Sequence, residues 1–310
     1  MRAISLDLIR VTEAAAIAAS QWVGSGNKEL ADKAATDAMR DRLNNLPIAG
    51  QIAIGEGIKD GSYGLFVGEK VGIGADIAGE RINFNSYDIA VDPIEGTTPT
   101  VTSGPEAIAT IAVGEPGSMF KTDAFYMMKL AYGPDIKKKT SISIDDPLEV
   151  IIEKASEATG KPKDKIMVCV LNRPRHEEII QELRELGVRI KLIQDCDVSG
   201  AVATCREDSG VDLLYGIGGA PEAVLSAAAI KCLRGDFQGK IVHKDQNWAA
   251  EDRVLHMEDL IKGSCAYVAT GITDGSLLDG VRYENGPVTH SVSMRSESGT
   301  IRWIRTNHGN

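Results

Sequence analysis

The sequence predicts an α/β protein with an α+β first domain and an α/β second domain. Two observations carry this. In the first half, short apolar runs end in loops that bear Gly and acids. From about Asp146 strand-like and helix-like stretches alternate, the pattern of βαβ units around a largely parallel sheet. At 310 residues the chain exceeds the size at which one core usually keeps growing, so two domains fit its length.

The elements follow in order. Residues 5–20 read as an amphipathic helix. A second helix follows GSGN, with Lys28, Asp32 and Ala35 on one face; Pro47 and Gly50 end it. QIAIGEGIKDG reads as a short strand entering a Gly-rich loop, and YDIAVDP as an apolar strand with a loop at its C-terminal end. AIATIAVG is another strand, and FYMMKLAYGP continues that sheet. DPLEVIIEKASEATGKPKDK is a helix broken at Pro162. IMVCVL is a buried strand, RHEEIIQELRELG a helix and VRIKLIQDCD a strand. AVATCREDSGVDLLYGIGGAP supplies a helix and a strand, and PEAVLSAAAIKCLRG a helix of small residues. GPVTHSVSMRSESGTIRWIRTNHG reads as a hairpin around Ser298-Gly299. The boundary is expected near 135–147: a first domain of 1–140 rejoined by 286–310, and a second of 141–285.

Composition narrows the function. The chain is 43% hydrophobic and 25% charged, with only 5% aromatics, so the core rests on aliphatic residues; Trp22, Trp248 and Trp303 read as packing residues. Acids outnumber bases 44 to 34, which argues against a non-specific nucleic-acid binder but leaves a local anion site open. The five Cys form no CxxC pair and read as reduced, buried thiols. The N-terminal stretch lacks the layout of a signal peptide, and no apolar run is long enough to span a bilayer. A cytoplasmic protein with no nucleic-acid or membrane partner is expected.

The chemistry sits in acids placed where strands or helices end: Asp32, Glu56 and Asp60 in GEGIKD, Asp92 and Glu95 in DPIEGT, and Glu222 in GIGGAPE. Gathering carboxylates is costly without cations, because like charges raise one another's pKa. Oxygen-loving divalent ions, Mg²⁺ or Mn²⁺, resolve that cost. The five His are scattered and no His/Cys group has zinc spacing. Within DPIEGT, Pro93 fixes φ and ends the strand's hydrogen bonding, so the turn that follows can aim Asp92 and Glu95 into one space. Gly96 permits positive φ or close backbone approach, and Thr97 can open a helix with its hydroxyl toward an anion. Taken singly, DPxEG reads more often as a plain turn than as a site, and GEGIKDG as an ordinary loop.

Together the stretches GNKELADKAATDAMR, IGEGIKD, DIAVDPIEGT, FYMMKL, NRPRH, DVSGAV, LLYGIGGAPEAVLSAAAIKCLRGD and ATGIT resemble the class II (GlpX-type) fructose-1,6-bisphosphatases. DPIEGT also resembles the DP[IL][DE]GT signature of the wider lithium-sensitive metal-dependent phosphatases. The resemblance runs from about residue 9 to about 305. It implies a layered αβαβα sugar-phosphatase fold, Mg²⁺ or Mn²⁺ dependence, and hydrolysis of the 1-phosphate of fructose 1,6-bisphosphate in gluconeogenesis. A homo-oligomer is expected, as dimer or tetramer. Carried residue by residue, it makes Asp32, Glu56, Asp92, Glu95 and Glu222 metal ligands and puts Lys28 and Thr97 at catalytic positions. Glu95, Gly96, Thr97, Tyr126, Arg173, Pro174, Arg175, Asp195, Asp197 and Gly219 fall at substrate positions. Departures are Ile58, where the family commonly has a second Glu, Arg173 for the frequent Lys, and a short segment after Gly239.

On this reading the acids hold the metal and Thr97 positions the attacking water, with Asp60 a candidate partner of that hydroxyl or water. Lys28 reads as an electrostatic clamp, or else as a solvated helix lysine. Arg173 and Arg175 can clamp the remote phosphate with Tyr126 beside them. Asp195 and Asp197 either bind sugar hydroxyls or cap the next helix. The alternatives are a sedoheptulose-1,7-bisphosphatase or bifunctional enzyme, which meets the same reacting end, and a non-catalytic sugar-phosphate sensor.

Overall fold

The computed structural model describes residues 4–55, 64–74 and 84–309. In chain order, helices α1 (Ile4–Ser20) and α2 (Lys28–Asn44) precede strands β1 (Ile48–Ile54), β2 (Lys70–Val71) and β3 (Asn85–Glu95), then α3 (Thr97–Thr102) and β4 (Ile108–Gly114). Next come β5 (Tyr126–Tyr132), α4 (Pro134–Lys139), α5 (Leu148–Thr159), β6 (Met167–Leu171), α6 (Glu177–Glu185), β7 (Arg189–Ile193), α7 (Asp197–Ala203), β8 (Leu213–Gly219) and α8 (Ala220–Cys232). The chain ends with β9 (Asp236–His243), β10 (Ala249–Ala250), β11 (Leu255–His256), α9 (Met257–Leu260), β12 (Cys265–Gly271), β13 (Arg282–Tyr283), β14 (Pro287–Arg295) and β15 (Thr300–Asn307). No described helix is long and apolar enough to cross a membrane.

The chain divides into two compact units. One is Met1–Lys121 with Ile261–Asn310, the other Thr122–Leu260. Among the described residues the first unit's sheet runs β13-β14-β12-β4-β3-β1-β2, with β15 also on β14. Only its β1–β3 pair is parallel. The helix α1 buries Leu8, Ile9, Val11, Ala15 and Ala16 in a core shared with Ile89, Ile111 and Val268. That face follows from the i, i+3, i+4 spacing of the apolar residues. The tail forms the expected hairpin, β14 and β15, inside this sheet.

The second unit's sheet runs β10-β9-β5-β8-β6-β7, with β11 also on β9. It is mixed, which corrects the expectation of a largely parallel sheet. The β6 strand is parallel to β7 and β8, as the βαβ alternation demands. The β5 strand, expected to continue the first sheet, instead lies antiparallel between β8 and β9. Strand pairing is a long-range choice that local patterning does not encode. The switch between units therefore falls ahead of the expected 135–147 stretch, and residues 261–285 pack with the first unit.

Candidate functional site

The first unit carries the acid motif on β3. The strand does not stop at Pro93, as the sequence suggests, but runs through to Glu95 with a slip in register. Asp92 pairs with Thr110 and Glu95 with Ile108, so three steps on β3 match two on β4. That is a bulge, and Pro93, which has no N–H to give, sits where the ladder is already interrupted. The consequence is stereochemical. In a regular strand, residues three apart point to opposite faces. The extra residue restores parity, and Asp92 and Glu95 come to one face. Each offers a carboxylate oxygen within 4.8 Å of the other's, and both residues are buried. The Ile94 N–H donates to Asp92 Oδ1 at 3.0 Å and fixes that side chain.

Gly96 then takes φ 100°, a left-handed turn that opens α3 directly after Glu95. Thr97, the first residue of α3, donates its hydroxyl to Asp32 Oδ1 at 3.0 Å. Asp32 lies one turn into α2, whose start is capped by the Asn27 side chain accepting from Leu30 N–H. Lys28, at the first position of α2, donates from Nζ to Thr98 Oγ1 at 2.8 Å. The expected helix face of Lys28 and Asp32 thus meets the first turn of α3. Among the described residues Thr97 has Asp32 as a partner. Glu56, Ile58 and Asp60 lie outside the described residues.

The second unit gathers the remaining candidates. Arg173 pairs with Asp195. Arg175 donates from Nε and Nη2 to the Ile217 carbonyl, at 3.0 and 2.8 Å. Its guanidinium carbon lies 5.3 Å from the ring centroids of both Tyr126 and Trp248. Both arginines thus already carry protein partners. Pro174 opens a short 3₁₀ turn, Pro174–His176, that Arg173 precedes and that contains Arg175. Neither Asp195 nor Asp197 caps α7: Cys196 stands at the cap with φ 67° and makes no side-chain capping hydrogen bond. Asp197 instead accepts from the buried Lys129 Nζ at 2.7 Å. Gly219 ends β8, and a Cβ there would fall 1.8 Å from Glu222 Oε2. Glu222 lies in the first turn of α8, behind Pro221, where the helix dipole favours an anion. Burial pushes its carboxyl above the usual carboxylate range; Lys129 opposes and Asp197 adds to that shift.

Three residues escaped sequence reasoning. Lys129 is a lone cation inside YMMKLAY, and that oddity was the available signal. His176 is buried: its Nε2 accepts from Ile217 N–H at 2.7 Å, so Nδ1 carries the proton and donates to the Leu171 carbonyl at 2.6 Å. That neutral ring ties the Arg175 turn to β8. Trp248, read as a packing residue, stands edge-on to Tyr126 at 5.0 Å. Of the other two tryptophans, Trp22 packs on the first core and Trp303 is 54% exposed on β15. The His176 and Trp248 contacts were not signalled by local pattern.

A hard divalent cation fits the two acids at the end of β3. Asp92 and Glu95 present only oxygen donors on one buried face. Glu222 Oε2 is enclosed and, among the described residues, has no hydrogen-bond partner, which is costly for a carboxylate oxygen unless an ion or ligand meets it.

The profile of the bacterial fructose-1,6-bisphosphatase family, glpX-encoded, matches residues 2–308. The chain belongs to this family. It is 40% identical to fructose-1,6-bisphosphatase 1 class 2 of Escherichia coli (strain K12), over 99% of this chain and 95% of that protein. The fructose-1,6-bisphosphatase class 2 proteins of Escherichia coli O6:H1 and of Shigella flexneri are similar to the same extent. As a member of a phosphatase family, this chain is a hydrolase, and the GlpX-type assignment accords with the acid placement on β3.

Proposed function

We propose that this phosphatase removes the 1-phosphate of fructose 1,6-bisphosphate, giving fructose 6-phosphate and inorganic phosphate, with Mg²⁺ or Mn²⁺ as cofactor. Family membership over residues 2–308 supports the reaction, and the bulge that turns Asp92 and Glu95 to one face carries the assignment of residues. On the family resemblance the ligands are Asp92, Glu95, Glu222, Glu56 and Asp32. Such a cation, when bound, supplies positive charge against the phosphoryl oxygens in the transition state.

The protein's own groups do the rest. Thr97 commits its hydroxyl proton to Asp32, so its oxygen is left to accept from water. That orients the water for in-line attack on phosphorus as the ester P–O bond breaks toward the sugar oxygen. Asp32 fixes the rotamer of Thr97 and draws on its proton, which a hydroxyl alone does poorly. Lys28 adds positive charge at the same helix start. Arg173, Arg175 and Tyr126 receive the 6-phosphate after a rearrangement of the Arg173–Asp195 pair, and Asp195, Asp197 and Gly219 meet the sugar. The family resemblance supports a cytoplasmic homo-oligomer working in gluconeogenesis.

The test is phosphate release from fructose 1,6-bisphosphate and from sedoheptulose 1,7-bisphosphate, each with Mg²⁺, Mn²⁺, EDTA and lithium. Metal-dependent release with the higher kcat/KM on the fructose ester is expected. Binding of both sugars with no release under any metal overturns the proposal in favour of a sensor.

A further inference from the structure

Lys129 is the fourth residue of β5 and is 1% exposed, one of the largest wholly buried side chains. Its register partners on both neighbouring strands are glycines, Gly216 on β8 and Gly239 on β9. Further along β8, a Cβ on Gly218 would fall 1.8 Å from Asp197 Oδ2 and 2.9 Å from Lys129 Nζ. The bare backbone of GIGG therefore clears the volume in which the Lys129–Asp197 pair lies.

A buried ion pair is a poor stabilising device, because desolvation offsets the attraction and apolar residues of the same volume serve as well. Here only half of the carboxylate is engaged. Lys129 Nζ holds Asp197 Oδ2 at 2.7 Å, while Asp197 Oδ1 is enclosed and, among the described residues, has no hydrogen-bond partner. One oxygen is held by Lys129 and the other is left without a donor among the described residues. An acceptor with a fixed direction and no protein donor matches a hydroxyl group brought by a ligand.

We propose that Lys129 is a positioning residue for the sugar: it fixes the Asp197 carboxylate so that Oδ1 accepts from one hydroxyl of the bound sugar phosphate. This rests on the sugar-phosphatase reading above and extends it, since hydroxyl recognition then depends on a residue that touches no substrate atom.

The test is a double-variant cycle on the full-length enzyme, with KM for fructose 1,6-bisphosphate measured for wild type, Lys129→Met, Asp197→Asn and the double variant. Each single change is expected to raise KM roughly 10- to 100-fold, the loss of one charged hydrogen bond. The double variant is expected to match Asp197→Asn within about twofold, because Lys129 acts only through Asp197. It removes both members of the Lys129–Asp197 pair, so it carries the comparison with Asp197→Asn if Lys129→Met alone does not fold. Multiplying KM effects overturn the proposal. So does a Lys129→Met enzyme whose KM is unchanged but whose half-saturating Mn²⁺ concentration rises, which assigns Lys129 to Glu222 instead. An unchanged KM in Asp197→Asn removes the sugar contact itself. Failure of the wild type to release phosphate from any sugar bisphosphate sinks the parent reading, whereas an active wild type with multiplying effects sinks only the role of Lys129.

Discussion

In the first unit Asp92 and Glu95 reach one face through a backbone device, a one-residue bulge beside β4. In the second, Asp197 and Asp195 are each placed by a cation, Lys129 and Arg173. The difference teaches what each set is suited to do. Carboxylates gathered onto one face by backbone geometry offer several oxygens to one incoming cation. Carboxylates held by ammonium or guanidinium are neutralised in part, so they suit hydrogen bonding to a neutral sugar better than binding an ion.

This contrast can be broken most sharply at β3. Asp92→Asn retains an acceptor for the Ile94 N–H, and Glu95→Gln retains the shape, yet each is expected to lower kcat by roughly 10³-fold. Neither is expected to lower the melting temperature of the metal-free protein, because each relieves repulsion between neighbouring acids. Loss of stability equal to the loss of rate would show that the pair serves packing.

A smaller effect is expected one turn on. Thr97→Ala removes the hydroxyl that donates to Asp32, and kcat should fall by about 10²-fold with KM little changed; Thr97→Ser should restore most of it. Full turnover by Thr97→Ala would remove Thr97 from the mechanism.

The smallest expected effect is on stability and belongs to the second unit. Burial holds the His176 imidazole below its ordinary pKa, with Arg175 adding to that depression. The unfolded chain gains a proton near pH ~6.5 that the folded ring takes only at lower pH. Unfolding is therefore proton-linked in that window, and stability falls as pH drops through it. Urea midpoints measured from pH 8 to pH 5 should show this slope, and His176→Gln should flatten it. An unchanged slope would mean that other groups set the acid limb.

The element types and the tail hairpin were legible in the sequence, because apolar period and Gly/Pro punctuation are local. The pairing of β5 was not: nothing in FYMMKLAY says which sheet receives it. In the site, DPIEGT announced two acids and a helix start, and Thr97 does open α3. The sequence could not show that the strand continues through Pro93, since a bulge is defined only against its partner strand. Arg173 and Arg175 were visible as cations, but their protein partners, Asp195 and the Ile217 carbonyl, come from segments far along the chain. Lys129 was readable as a charge in an apolar strand, though its partner was not.

The account rests on Asp92 and Glu95 sharing a cation. The most direct measurement is anomalous scattering from crystals of the protein grown with Mn²⁺. A Mn²⁺ peak bonded to both carboxylates, at roughly 2.0–2.4 Å, is predicted. An enzyme that turns over in Mn²⁺ yet shows no peak at either carboxylate would contradict it.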